Sequence, residues 1–203
     1  MNPKVLRRFV IYLAAATVAM FTLWAVLDTS FQREPGDYYT EVGGNRLQEQ
    51  NYAEALEAFD QALAERPDHR GALMGRALVF MQTERHDDAL AEFAYLIAFL
   101  EKSLTPDDRT GFGTLAAAFA NRGILNDRLG RYEQALADYI AALRVDPGAL
   151  EGPGLLDRVV YGTPRPATVR KRAIYLKQQL ALPPEKRLLR VPEIDEKQRM
   201  YKP

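Results

Sequence analysis

The sequence predicts an all-α chain: an N-terminal transmembrane helix, a three-repeat α-solenoid, a capping helix and an extended C-terminal tail. Three observations predict it. An uncharged apolar stretch of 19 residues lies near the start. Spaced alanines and aromatics recur with a period of 34 residues. The charges, which cancel overall at 27 Lys+Arg against 27 Asp+Glu, are segregated along the chain.

Residues 1–27 carry three bases and no acid, residues 28–151 carry 12 bases and 22 acids, and residues 152–203 carry 12 bases and five acids. The net zero therefore hides a basic start, an acidic body and a basic end. A length of 203 residues suits one modest domain with appendages. A hydrophobic content of 47% excludes a wholly disordered chain. The absence of cysteine excludes disulfides, thiolate metal sites and a lipidated N-terminal cysteine. Two histidines leave little for metal sites or proton relays, and the acidic body argues against nucleic-acid binding.

The anchor is expected over 9–27, FVIYLAAATVAMFTLWAVL. As a helix it spans about 28 Å, close to the roughly 30 Å of a hydrocarbon core. Arg7 and Arg8 fence one end and Asp28 the other, and Tyr12 and Trp24 sit near the two interfaces. A cleaved signal peptide has a shorter apolar run and a small-x-small cleavage site. Here Phe21, Leu23 and Trp24 crowd the far end, which favours an uncleaved span. Lys4, Arg7 and Arg8 precede it, so the positive-inside rule puts residues 1–8 in the cytoplasm. The body then lies across the inner membrane, in the periplasm of a Gram-negative cell.

A linker over 28–35 leads to the repeats, expected over 36–147 as 36–69, 70–115 and 116–147. Tyr52, Ala55, Phe59, Ala62 and Pro67 stand at offsets 0, 3, 7, 10 and 15. Tyr132, Ala135, Tyr139, Ala142 and Pro147 repeat those offsets, and His86, Ala89, Phe93 and Leu96 repeat the first four. Offsets 0, 3, 7 and 10 make one helical stripe. The alanines let a second helix approach, the aromatics fill the space between helix pairs, and the prolines stop the helix. Gly43, Ala77 and Gly123, nine residues upstream of each repeat start, mark the partner helices. Glu101 stands where the second repeat lacks its proline, so the helix over 86–103 runs on. The 12 extra residues lengthen this pair, and Leu104-Thr105-Pro106-Asp107-Asp108 predicts an N-cap at Thr105.

This pattern resembles the tetratricopeptide repeat, a unit of two antiparallel helices with a 34-residue period. The resemblance implies a superhelix whose concave face is lined by the first helix of each pair. Mapping by repeat position selects Leu47, Met74, Leu78, Met81, Ile124 and Arg128 as groove residues. Those positions equally allow the apolar side chains to pack inside the solenoid, and the two readings stand side by side. Some family members hold a chaperone C-terminal carboxylate in a Lys/Asn/Arg clamp. The matching positions here are Thr40, Gly44, Gly75, Ala117 and Asn121, and only Asn121 fits, so a clamp is not expected. An apolar groove suits an amphipathic helix or an extended apolar peptide.

Residues 148–182 are expected to hold two helices. ALEGPGLLDRVV over 149–160 suits a short packing helix, GTPRP over 162–166 a loop, and 167–182 a helix with Val169, Ala173, Leu176 and Leu180 on one stripe. The second helix is expected to cap the solenoid. Pro183-Pro184 ends it. The tail, 183–203, mixes charge with Leu188, Leu189, Val191, Ile194, Met200 and Tyr201. A solvated terminus is the plain expectation. The spaced apolar residues suggest instead an extended peptide docked on a partner or on the acidic body. Lipid attraction ranks lower, because Glu185, Glu193, Asp195 and Glu196 oppose it.

The chain offers little chemistry. His69 and His86 lack a carboxylate cluster, Gly111-Phe112-Gly113 lacks a phosphate-loop context, and Ser30 and Ser103 sit in no nucleophile motif. No enzyme, cofactor, metal, nucleic acid or small-molecule substrate is expected. The expected function is a membrane-anchored protein–protein interaction scaffold whose partners are membrane or periplasmic proteins, with lipid met only through the anchor. The first choice is an accessory subunit of a membrane complex. The alternative is a periplasmic assembly factor or chaperone holding clients at the inner membrane.

Overall fold

The first helix, α1 (Pro3–Ser30), runs past both ends of the apolar stretch. Lys4, Arg7 and Arg8 are good helix formers and carry it back toward the start. The computed structural model describes residues 3–30, 34–146 and 169–190, apart from the side chains of 26–30. The expected helix over 149–160, the loop over 162–166 and the tail residues Val191, Ile194, Met200 and Tyr201 lie outside them. Over Pro3–Ala25, α1 is long and apolar enough to cross a membrane, and its side chains are exposed. Its two threonines are satisfied within the helix: Thr17 donates to the Leu13 carbonyl at 2.9 Å and Thr22 to the Val18 carbonyl at 3.0 Å. That is what a hydroxyl needs where no water is available.

Three helix pairs follow: α2 (Asp37–Gln48) with α3 (Tyr52–Glu65), α4 (Arg70–Gln82) with α5 (His86–Ser103), and α6 (Arg109–Arg128) with α7 (Tyr132–Val145). Then α8 (Val169–Leu180) packs on α7. Among the described residues there is no strand. Within each pair the helices are antiparallel neighbours. Between pairs α3 meets α4, α5 meets α6, and the first helices α2, α4 and α6 lie side by side. The repeat alanines Ala55, Ala89 and Ala135 are fully buried, as are Phe93 and Tyr139. Without a proline, α5 reaches 18 residues against 14 in α3 and α7, and α6 reaches 20 against 12 in α2.

The turn inside each pair closes the same way. Gln50, Glu84 and Gly130 have φ of 61°, 59° and 74°. The next amide reaches back five residues: Asn51 to Arg46, Arg85 to Phe80 and Arg131 to Asn126. This is a left-handed helix end, cheap for glycine and costly for a residue with Cβ. Glu84→Gly therefore raises stability by about 0.5–1 kcal/mol, part of the relieved strain being offset by the freer unfolded chain. Urea unfolding followed by circular dichroism checks it, and a lower midpoint would contradict the strain argument.

The first helices of the second and third pairs begin on side-chain caps. The His69 Nδ1 accepts the Ala72 amide at 3.2 Å at the start of α4. Asp108 Oδ1 accepts the Gly111 amide at 2.7 Å at the start of α6. This corrects the expected cap at Thr105, which stands in the preceding turn. Asp108 directly precedes the helix, and Arg70 donates to its other oxygen at 2.6 Å, tying the two helix starts together.

The same contacts give a pH dependence. The hydrogen bond from His69 (Nε2 to Oδ1, 2.9 Å) holds the Asp37 carboxyl below its ordinary value, and that from Arg70 does so for Asp108. A carboxyl depressed in the folded state stabilises above its unfolded pKa, about 3.9, and loses that contribution as pH falls through the folded value. The melting temperature accordingly drops on acidification below about pH 4. Asp108→Asn flattens that drop, and a variant that falls as steeply as the parent would exclude Asp108 as a source.

Candidate functional site

The inner face of the first helices is the natural place for a ligand, and two arginines define it by pointing the other way. Arg76 on α4 reaches outward to Asp60 on α3 at 2.8 Å and to Glu92 on α5 at 2.9 Å. Arg122 on α6 makes a two-point contact with Asp138 on α7, at 2.6 and 3.0 Å, and Asn126 donates to the same carboxylate at 3.1 Å. These arginines are 46 residues apart, the spacing of the repeat starts His86 and Tyr132, so they hold one register. At about 100° per residue the faces opposite them carry Met74, Leu78 and Met81 on α4, and Ala120, Ile124 and Asp127 on α6.

Five of the six groove residues expected from the sequence do not form an open wall. Leu47, Met74, Leu78, Met81 and Ile124 are buried, none more than 8% exposed. Asn121 on α6 donates to the Met74 sulfur on α4 at 3.8 Å, so these two first helices touch along this edge. Arg128 is exposed at the end of α6. Thr40 and Gly44 on α2 are half-buried, and Asn121 is fully buried.

At the far end of this face sits a charge cluster that the sequence did not single out. Arg172 on α8 grips Asp127 with Nε to Oδ2 at 2.7 Å and Nη2 to Oδ1 at 2.8 Å. The Tyr139 hydroxyl donates to Asp127 Oδ2 at 3.1 Å. Both charged side chains are at most 3% exposed. The sequence shows Arg172 only as one member of a basic run. Nothing in its spacing says that it turns inward while Arg170 and Lys171 stay exposed.

The start of the tail folds back on the same end. After Pro184–Lys186, a single 3₁₀ turn, residues 187–190 run alongside α8. Tyr175 donates to the Leu188 carbonyl at 2.6 Å, Arg172 to the Leu189 carbonyl at 2.9 Å, and Gln179 accepts the Leu188 amide at 2.8 Å. Leu189 packs against the core, and Leu188 is exposed. Arg190 then reaches the Arg128 carbonyl at 3.1 Å.

Family models for the tetratricopeptide repeat match residues 45–104 and 116–148. The body of the chain is similar to the tetratricopeptide repeat family. Its fold is likewise that of the first tetratricopeptide domain of Spaghetti (RPAP3), solved bound to the HSP90 peptide SRMEEVD. That match has 16% identity, covers 73% of this chain and 94% of that one, and has a TM-score of 0.53. The tetratricopeptide domains of Sgt2 from Aspergillus fumigatus (13% identity, 74% and 87% coverage, TM-score 0.49) and Arabidopsis OM64 (16%, 63% and 92%, 0.47) are also similar. A comparison with curated proteins finds no match. Tetratricopeptide repeats indicate a protein–protein interaction scaffold.

Proposed function

We propose that this chain is a membrane-anchored tetratricopeptide scaffold, serving as an accessory subunit of a membrane protein complex. The observation that carries the reading is the union of two parts. One is a 23-residue exposed apolar helical span, Pro3–Ala25. The other is a repeat body built for holding protein partners. Anchoring a binding body in two dimensions raises its effective concentration for neighbours in the same membrane. The charge flanking α1 supports an N-terminus in the cytoplasm and a body on the other side.

The partner is not an acidic C-terminal tail of the kind held by a carboxylate clamp. Four of the five clamp positions, Thr40, Gly44, Gly75 and Ala117, offer no cation or amide side chain, and Asn121 is spent inside the core. Apolar contact is the remaining currency of the face.

Gentle detergent extraction, affinity purification and mass spectrometry test the proposal. A fixed set of membrane proteins at constant stoichiometry supports the subunit. A varied, substoichiometric set points instead to an assembly factor or chaperone. Extraction of the chain by alkaline carbonate, without detergent, would overturn the anchor, and protease cleavage of the body from the cytoplasmic face of sealed vesicles would overturn the topology.

A further inference from the structure

The solvent side of α5 carries an apolar stripe. Ala91, Ala94, Tyr95 and Ala98 are exposed, and the Tyr95 ring, 53% exposed, has no ring or hydrogen-bond partner among the described residues. They stand at i, i+3, i+4 and i+7, on one side of the helix. The other repeats supply a comparison. At the same repeat positions α3 carries Glu57, Asp60, Gln61 and Ala64, as a solvated face should. There α7 carries Ala137, Ile140, Ala141 and Arg144, of which Ile140 and Ala141 are half-buried. Of the three helices, α5 alone is apolar and open along the whole stripe. A charge closes each end. Asp87 in the first turn and Lys102 in the last are exposed and make no ion pair among the described residues, since Arg85 holds Asp88 instead. Lys102 lies in the extension by which α5, at 18 residues, outruns α3 and α7, at 14. A shallow hollow of about 470 Å³ is lined by Tyr95, Ala98, Phe99, Glu101 and Lys102.

We infer that this stripe is the interface to a second copy of the same chain, the two α5 helices packing antiparallel across a two-fold axis between residues 94 and 95. An isologous contact needs a surface that complements itself, with residue i meeting j and j meeting i. The stripe is a palindrome about that point. Across the axis Ala94 meets Tyr95, Ala91 meets Ala98, and Asp87 meets Lys102, each pairing made twice. The charges match only in the antiparallel sense, because a parallel pair sets Asp87 against Asp87 and Lys102 against Lys102. The alanines allow the short end of interhelical spacing, about 8 Å. A long side chain leans toward the N-terminus of its own helix. In the antiparallel pair each Tyr95 therefore lies over Ala98 of the other copy, where the hollow is. One helix pair this long, about 22 Å, buries less than the roughly 800 Å² per partner of a standard stable interface. The contact is accordingly weak in dilute solution. In that respect it rests on the anchored reading, since two copies held in one membrane meet at a far higher effective concentration.

The absence of cysteine allows single-cysteine variants of the full chain in its membrane, oxidised mildly and read by mobility without reductant and by intact mass. Ala94→Cys and Tyr95→Cys stand beside the axis, within disulfide reach of their own counterparts, and form dimers. Ala91→Cys and Ala98→Cys each lie about 10 Å along the helix from their counterparts. Alone they give at least fivefold less dimer, whereas the two variants co-expressed with different tags form the mixed dimer. Gln61→Cys, the exposed equivalent of Tyr95 on α3, reports chance collision and stays at least fivefold below Ala94→Cys. Equal yields at these positions overturn the inference. In the Ala94→Cys chain, Lys102→Asp lowers the dimer at least threefold and adding Asp87→Lys restores it; a yield that ignores both overturns the inference. All these side chains are exposed, so unchanged circular dichroism separates lost contact from lost folding. A benzophenone side chain at Tyr95 that captures a different protein, with no dimer from Ala94→Cys, assigns the stripe to another partner and overturns the inference. For a chain that alkaline carbonate extracts, the same series is read on concentrated soluble chain, so failure of the anchor and failure of the contact are told apart.

Discussion

Asp127→Ala lowers the stability of the body by about 3–5 kcal/mol. The substitution strands the Arg172 guanidinium, whose side chain is 2% exposed, without the carboxylate that grips it at two points. It also removes the acceptor of the Tyr139 hydroxyl in the innermost layer of the last pair. A buried charge left without its counterion costs far more than the pair contributes, because each ion has already been stripped of water. The corollary separates this account from simple loss of packing. The double variant Asp127→Leu with Arg172→Met, which removes both charges and keeps much of the volume, recovers most of the loss. Urea unfolding of the single and double variants checks it. A double variant as unstable as Asp127→Ala would show that shape, and not charge, governs the site. Because Arg172 also donates to the Leu189 carbonyl, the single variant loosens residues 187–190 from the body.

Phe59→Ala costs a similar amount, about 3–5 kcal/mol. Phe59 is 2% exposed and stands where the first pair meets the second. A Cβ placed on Gly43 would come within 2.7 Å of its ring, and one on Gly75 within 2.2 Å. Two glycines on two different helices thus shape the slot for one aromatic, and the ring in turn is what joins the pairs. The reciprocal change follows. Gly75→Ala improves helix propensity by about 1 kcal/mol, yet it destabilises, because the ring has backbone on both sides and cannot retreat. Phe59→Leu in the Gly75→Ala background recovers part of the loss. Thermal unfolding of the three variants checks this, and a stabilised Gly75→Ala would refute the slot.

The slot shows how much of the fold was legible. Phe59, its partner alanines and Gly43 follow from a 34-residue period and helical offsets, since a repeat must bury the same positions each time. Gly75 was not legible. It lies two residues before the small-residue position of its own repeat, Ala77, and its purpose is set by the neighbouring pair. The same division holds at the turns. Gly130 marks one left-handed helix end, but Gln50 and Glu84 adopt it against their own preference. Only the alignment of the three turns shows that packing imposes the conformation.

The cap of α6 failed for a related reason. From the sequence Thr105-Pro106 carries the start signal, and Asp108 reads as its capping-box partner three residues on. In the folded chain Arg70 on another helix holds Asp108 and so decides between them. The groove divided in the same way. Repeat position put Met74, Leu78 and Ile124 on the inner face, and in the folded chain they are buried. Whether that face is open depends on what lies across it, and no local pattern contains that information.

By itself, then, the sequence determined the apolar helix that leads the chain, the three helix pairs, the residues that stack them and the lengthened second pair. Each is written in spacing along one helix, where neighbours in sequence are neighbours in space. Tertiary structure alone decided that Arg172 turns inward to Asp127, that the tail begins by folding back along α8, and that Met74, Leu78, Met81 and Ile124 are buried. Those outcomes depend on contacts between residues 9 to 62 positions apart, whose energies come from desolvation and burial once the helices have met.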